Sequence, residues 1–463
     1  MSSVKLSDVL SAMSYALDLT EGQPLGHAAR SCLIGMRLGE ELRLSADERS
    51  DLFYALLMKD AGCSSNSARV SQLFGGNDQD AKRGLWERDW RNWSEKIAYA
   101  LEYTEPDGTL LERVRRFAAL AIAGPSSQRE LFEIRCDRGA NIARALGVSE
   151  ATAVAIRSMD EHWDGGGYPE GLRREDIPLY ARIVGLSQVA EIFWARGGPT
   201  AAAEVVRERR GRWFDPELVR LFCTLGSADR LWTALGAEPL AESIAAAEPV
   251  ERVVAADESR LDRIAHAFAL VVDAKSTFTY QHSERVAAIS DAVAAEMALS
   301  DAARVRLRRA ALLHDVGKLS VPNRILDKPG KLESGEWDVV RKHPYFTYEI
   351  LARVPVFSEF AYDASCHHER IDGRGYHRGV PAEALSPTAR ILAAADIFDA
   401  LSAARPYRDA MPLDRVLSII GESRGTHLCP ATVDALIAAG AKSTTFLRPQ
   451  PAIAIAETAS PSY

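Results

Sequence analysis

The sequence predicts an all-α fold built as two copies of one helical bundle, and three observations carry that expectation. Apolar residues recur at helical spacing through most of the chain, as in LDRIAHAFALVV (261–272) and RVRLRRAALL (304–313), while alternating strand patterns are scarce. Two spacings then repeat along the chain. His27 and His282 each precede an aspartate, Asp60 and Asp315, by 33 residues, and Asp164 and Asp372 each precede an arginine, Arg182 and Arg390, by 18. Finally, 463 residues with 47% hydrophobic and 26% charged content provide for buried cores and exclude wholesale disorder. With 56 Lys+Arg against 64 Asp+Glu the net charge is -8, which argues against a DNA-binding protein.

Taken in order, residues 1–225 form the first copy. Its start, MSSVKLSDVLSAMSYALDL, lacks the basic opening and unbroken apolar run of a signal peptide. No stretch reaches the ~20 apolar residues that a membrane span needs. The six cysteines are scattered with no CxxC pair, so neither a disulfide framework nor a zinc ribbon is indicated, and a reducing cytoplasm is the expected setting. Asp60 to Asp164 spans 104 residues where Asp315 to Asp372 spans 57, which places an insert near 61–135. Its Trp-rich stretch, GGNDQDAKRGLWERDWRNW, reads as a decorated loop plus helix. The copies close alike, with GRWFDPELV around Pro216 and GTHLCPATV around Pro430. Between them, 226–258 is Ala/Glu-rich and reads as a helical or loose linker. The second copy occupies 259–443, and the Pro/Ala/Ser-biased tail 444–463 is expected to be disordered.

The ten histidines divide the copies sharply, since only His27 and His162 precede residue 240. In the second copy His314 and Asp315 end an apolar helical run, Gly317 is placed to terminate it, and Lys318 follows His314 by four. Downstream come His343 in RKHPY, the pair His367 and His368, and Asp396 in ARILAAADIFDAL. A carboxylate in such an apolar run is costly unless ionically paired or metal-bound. Imidazoles and carboxylates in this mixture suit Mn, Fe or Zn. Two cations bridged by a carboxylate are a common solution for phosphodiester hydrolysis, because they acidify the attacking water and neutralise the phosphoryl oxygens.

With HDVGK, the KHP histidine, HHERIDGRGY, AAADIFDAL and RPYR in this order over 261–436, the second copy resembles the HD-GYP family of HD-domain cyclic dinucleotide phosphodiesterases. The resemblance implies two tandem HD-domain helical bundles with the metal centre in the core of the second. It implies two divalent transition-metal ions, Fe or Mn, one held by His282, His314, Asp315 and Asp396. Asp315 would bridge to the other, held by His343, His367 and His368. His314, Asp315 and Lys318 would be catalytic, with Lys318 touching the scissile phosphate, and Arg405 and Arg408 would neutralise the substrate phosphates. The implied reaction is hydrolysis of cyclic di-GMP to linear pGpG and onward to GMP. A cyclic dinucleotide receptor or scaffold, and a phosphohydrolase of another nucleotide, are the competing readings. A GGDEF-type diguanylate cyclase and a second copy of the chain are the partners to consider. Two departures from the family stand out. His377 replaces the proline of GYP, and Phe278 stands where some members carry a glutamate for a third metal. Glu369 and Asp372 are expected to fix the loop, and His266 and His427 to be ordinary histidines.

The first copy reads as the same fold with its chemistry removed. Aligned on the repeated spacings, Lys59 replaces the dyad histidine, Cys136 the KHP histidine, Met159 and Asp160 the histidine pair, and Gln188 the last aspartate. Only His27 and Asp60 survive, although the loop GGGYPEGL is complete. A lysine beside Asp60 would repel a cation or replace it. The expected role is regulatory, dimerising or ligand-sensing, without metal.

Overall fold

A computed structural model describes residues 5–89, 92–106, 108–227, 230–236, 239–249, 255–276, 279, 281–403 and 409–442. Among them helices dominate and no strand occurs beyond isolated bridges. The chain divides into two units, 1–267 and 268–463. Arg405, Arg408, Phe278 and the tail 444–463 lie outside the described residues.

The repeat is visible in how helices begin. Helix Ala46–Met58 starts from a capping box in which Ser45 and Glu48 satisfy each other's exposed amides, and helix Asp301–Leu313 starts from Ser300, whose hydroxyl accepts from Ala303 N. His27 opens helix His27–Glu41 after Gly26 at φ 87, and His282 opens helix His282–Glu296 after Gln281 at φ 54. A buried aspartate holds each of these starts. Asp18 accepts from Gly26 N (2.7 Å) and Ala28 N (3.0 Å), and Asp273 accepts from the Ser283 amide and hydroxyl. The polar starts thus fix both histidines facing inward.

In the first unit, Val9, Met13, Leu17, Ile34, Phe53 and Leu56 are buried where Leu6–Glu21, His27–Glu41 and Ala46–Met58 meet. Helix Leu179–Glu208 crosses them and kinks at Gly197–Gly198, just ahead of Pro199. The insert supplies helices Ser67–Phe74, Asp78–Leu85 and Trp93–Tyr103 and the long Leu110–Leu146. The stretch 226–258, expected as a helical or loose linker, is helical over Arg230–Leu235 and Leu240–Ala247, and both helices pack into this unit. The reason is local packing: Leu231, Trp232, Leu235 and Ile244 are buried, and Glu248 accepts from Ser7 Oγ (2.8 Å) and Tyr54 OH (3.1 Å).

In the second unit, helices His282–Glu296, Asp301–Leu313, Pro387–Ser402 and Pro430–Lys442 enclose a core of Val286, Ile289, Leu307, Leu392, Phe398 and Val433. Each such side chain contributes about 1.5–3 kcal/mol through burial. That apolar framework is what allows polar groups at the helix ends to be held away from water.

Candidate metal centre

Six expected site residues meet in the second unit, none more than 6% exposed: His282, His314, Asp315, His343, His367 and Asp396. Five of the six come from helix ends or the turns beyond them. His282 opens His282–Glu296, His314 and Asp315 follow Asp301–Leu313, His343 opens His343–Leu351, and His367, with His368, follows Pro355–Ser365. Asp396 projects from the middle of Pro387–Ser402. His368 joins them at the rim, with its side chain 24% exposed.

The hydrogen bonds around the rings decide where the lone pairs point. The Nδ1 atoms of His314, His343 and His367 each lie 2.7 Å from a backbone carbonyl oxygen, those of Ala311, Val340 and Ala364. A carbonyl only accepts, so each Nδ1 carries the proton and donates, and each Nε2 of a neutral ring keeps its lone pair. His343 Nε2 and His367 Nε2 face each other at 3.0 Å. Two neutral rings held this way oppose lone pairs across that gap, an arrangement that a cation between or beside them relieves. His282 Nε2, His314 Nε2 and Asp315 Oδ1 are buried without a hydrogen-bond partner. This donor set fits divalent transition metals.

Asp315 faces both halves of the cluster. Its Oδ2 is 3.4 Å from His282 Nε2 and 3.3 Å from His314 Nε2, while its Oδ1 is 3.5 Å from His343 Nε2 and 3.6 Å from His367 Nε2. Asp396 Oδ1 lies 3.3 Å from His282 Nε2, and its Oδ2 3.9 Å from His368 Nδ1. Among the described residues, His282–His314–Asp315 and His343–His367–His368 each bring ligand atoms within 4.8 Å of one another. Electrostatics separate the same halves. Burial would lower the His314 pKa, but Asp315 and Asp396 push it up to about 9, whereas burial and His314 bring His367 down to about 4. Burial would raise Asp315, but the charges of His314 and Lys318 hold it well below the usual carboxylate range.

Neighbouring residues hold these ligands in place. Asp399, one turn after Asp396, accepts from His282 Nδ1 (2.7 Å) and from Arg285 Nε (2.6 Å). The sequence pattern did not single it out, although ADIFDAL places a second carboxylate at helical spacing. Lys318 Nζ donates to Asp315 Oδ2 at 2.5 Å, so it is tied to the central carboxylate. Gly317 does not terminate a helix. It lies in a 3-10 turn, Val316–Ser320, and a Cβ there would come 1.9 Å from His343 O, so its role is close approach of two backbones. Thr347 locks that contact, donating to His314 O (2.8 Å) and accepting from Gly317 N (3.1 Å). Tyr376 lies against His368 at 4.5 Å between ring centroids. Glu369 accepts from the amides of Arg378, Gly379 and Val380, and Asp372 accepts from Arg374 N, so both brace the loop. His377 is half-buried at φ 93. His266 is exposed and His427 half-buried.

The corresponding place in the first unit is filled by cations of the chain itself. Lys59 Nζ pairs with Asp60 and lies 2.9 Å from His27 Nε2, while His27 Nδ1 pairs with Glu191. The counterpart of His343 is Arg135 and not Cys136. A Cβ on Gly62 would meet Arg135 O at 1.9 Å, as one on Gly317 would meet His343 O. The insert removed the fixed spacing that would have shown this register. Arg135 Nη2 donates to both oxygens of Asp160, at 2.7 and 2.6 Å. Glu21, Asp60 and Cys63 form a third group with ligand atoms close enough for a cation. Lys82 Nζ, 3.5 Å from Glu21, and Lys59 on Asp60 already neutralise it, and burial keeps the Cys63 thiol protonated.

Two stretches, 124–218 and 267–432, match the HD-domain family. The chain is 43% identical over 431 residues to the 3'3'-cGAMP-specific phosphodiesterase 3 of Vibrio cholerae serotype O1, covering 93% of this chain and 94% of that protein. It is 30% identical over 358 residues to the cyclic di-GMP phosphodiesterase response regulator RpfG of Xanthomonas campestris pv. campestris, covering 75% and 90%. Among solved structures, a cyclic GMP-AMP specific phosphodiesterase of Vibrio cholerae superposes with a TM-score of 0.66 at 40% identity, covering 94% of this chain and 98% of that one.

Proposed function

The chain belongs to the HD-domain family and, within it, to the HD-GYP branch, and from that premise we propose that its second unit is a metal-dependent phosphodiesterase of 3'3'-cyclic GMP-AMP. The observation that carries the reading is the two-faced Asp315, whose oxygens address separate histidine pairs. His282, His314, Asp315 and Asp396 would hold one cation and Asp315, His343, His367 and His368 a second, with Fe or Mn the expected identities. Such cations supply Lewis-acid polarisation of the phosphate and a lowered pKa for the attacking water.

The chain's own residues do the rest. Asp399 fixes the His282 ring through Nδ1, and the Ala311, Val340 and Ala364 carbonyls fix three more. Lys318 places an ammonium beside Asp315, where it offsets charge gathering on a bound phosphate. In this reading Arg405 and Arg408, outside the described residues, would neutralise the substrate phosphates. Tyr376 covers His368 and limits access of water to the rim. The first unit, with its cations built in, has a regulatory role.

The choice of cyclic GMP-AMP rests on the Vibrio cholerae relative that spans nearly the whole chain. Cyclic di-GMP, cleaved to pGpG or GMP, is the second reading, favoured by the names of RpfG and of a Thermotoga maritima phosphodiesterase 37% identical over 161 residues. The test is chromatography of products from both substrates, using protein reconstituted anaerobically with Fe(II) or Mn(II). Cyclic GMP-AMP should be cleaved with a kcat/KM at least about tenfold higher, which corresponds to about 1.4 kcal/mol. Metal-loaded protein that leaves both substrates intact would sink the enzymatic reading in favour of a receptor.

A further inference from the structure

The first unit contains a cleft of ≈ 380 Å³ that takes no part in the chemistry above. Its walls come from the turn around Gln23, the end of the Ile192–Arg196 stretch, and Arg83 of the insert. We propose that this cleft binds a nucleoside monophosphate, its phosphate held by Arg83 and Arg196. The proposed site lies wholly in the first unit and stands apart from the catalytic reading of the second.

Among the described residues, two guanidinium groups line the cleft, and the carboxylates paired with them, Asp80 and Glu87, lie outside its lining. Arg83 is anchored through Nε, which donates to Gly22 O at 2.7 Å, and its Nη2 lies 3.8 Å from Asp80. Arg196 is anchored through Nη2 on Glu87. Arg83 Nη1 and the Arg196 Nε and Nη1 have no acceptor among the described residues, which leaves N–H donors on both guanidinium groups for a phosphate. Because other bonds already fix both side chains, less ordering remains to be done when an anion arrives.

Gln23 adds a buried donor. It lines the cleft, is only 7% exposed, and its amide Nε2 has no hydrogen-bond partner among the described residues. A buried donor left unmatched costs roughly 1–3 kcal/mol, and an acceptor on a ligand would recover it once the side chain turns toward the cleft. Neighbouring Pro24, Ile192 and Ala195 give the apolar surface on which a base can rest. The volume falls near the lower end of the roughly 300–1,000 Å³ typical of small-molecule sites, which suits a mononucleotide better than a dinucleotide.

The walls are also rigid. Gly22 sits at φ 64, and a Cβ there would come 2.8 Å from Gln79 O, so only glycine lets the turn close on helix Asp78–Leu85. Gln79 Nε2 donates to Leu19 O (2.9 Å) and clamps the same contact. The insert therefore brings Arg83 to the turn and holds it there.

The test is calorimetric titration of GMP into the full-length, metal-loaded chain. Wild type should show one binding event more than the Arg83→Ala/Arg196→Ala double variant, whose turnover without added GMP should be unchanged. Each single variant should weaken that event about tenfold. Gln23→Glu, nearly isosteric, should weaken it as well, and covers the case in which the double variant folds poorly. Identical stoichiometry and affinity in wild type and all variants would overturn the proposal. So would guanosine competing as well as GMP, which removes the phosphate, or inorganic phosphate binding as tightly as GMP, which removes the nucleoside.

Discussion

Asp315 and Asp60 occupy the same place in their units, each 2% exposed and each just past a helix end. Around Asp315 the chain gathers imidazoles with lone pairs turned inward. Around Asp60 it places the ammonium of Lys59, and the guanidinium of Arg135 stands where the other unit has His343. Both arrangements answer one problem, since a buried carboxylate requires positive charge. In the second unit Lys318 supplies part of that charge and, in the proposed reading, exchangeable ions supply the rest, whereas in the first the chain's own side chains supply it. The shared fold therefore accepts either arrangement, because what the scaffold needs is compensation of charge, whatever carries it.

The largest effect should come from removing the shared aspartate. Asp315→Asn should abolish metal retention and lower turnover by about a thousandfold or more, the scale of losing metal-based charge stabilisation. Asp60→Asn should leave metal content and turnover unchanged. Elemental analysis and a product assay on both variants check this, and loss of metal from Asp60→Asn would break the contrast. Next comes Lys59→Met, which strands Asp60 without its ammonium. It should cost about 3–5 kcal/mol, read as a downward shift of the first unit's unfolding transition with metal content intact. A stable Lys59→Met protein that gains a metal ion would show instead that Lys59 merely excludes it.

Smaller differences should separate the supporting carboxylates. Asp399 and Glu191 are equivalent, each bonded to the Nδ1 of the first histidine and to an arginine Nε three residues beyond it. Asp399→Asn should weaken metal affinity by about 10–100-fold, because it no longer holds His282 as strongly in the ligating tautomer. Glu191→Gln should leave metal affinity untouched and cost about 1–3 kcal/mol of stability. Metal titration with each apoprotein distinguishes the two.

How much of this is readable in the sequence depends on whether spacing survived. The interval from His27 to Asp60 matches that from His282 to Asp315, so the all-α repeat, Lys59 and the loss of the dyad are legible there. Arg135 is not, because the insert separates it from Asp60 and only the approach of Gly62 to its carbonyl fixes the register. Gly317 looks like a helix stop because sequence shows a glycine after an apolar run and not the backbone it must pass. The helices of 226–258 are obscured because Ala/Glu-rich composition suits both a free linker and a packed helix, and the decision lies with partners far away in sequence, such as Ser7 and Tyr54.

The smallest predicted difference concerns the aspartates that start the first histidine helices. Burial raises Asp18 to about 7, with His27 and Lys59 opposing it, and raises Asp273 to about 6, with His282 opposing. For a carboxyl raised on folding, the native state holds its proton over a range in which the unfolded chain has lost it. Its contribution is therefore complete below about pH 4 and is lost as pH rises through the folded value. The first unit should keep losing stability up to about pH 7, and the Asp273 contribution in the second should end about one unit earlier. Asp18→Asn keeps one oxygen acceptor, enough for either the Gly26 or the Ala28 amide, and cannot ionise, so beside a uniform loss of stability it should flatten the first unit's dependence on pH between 4 and 7. An unchanged slope in that variant would mean that Asp18 is ionised in the native state, with Lys59 and His27 compensating it as they do Asp60. Lys59 and His27 would then serve two buried aspartates, Asp18 and Asp60.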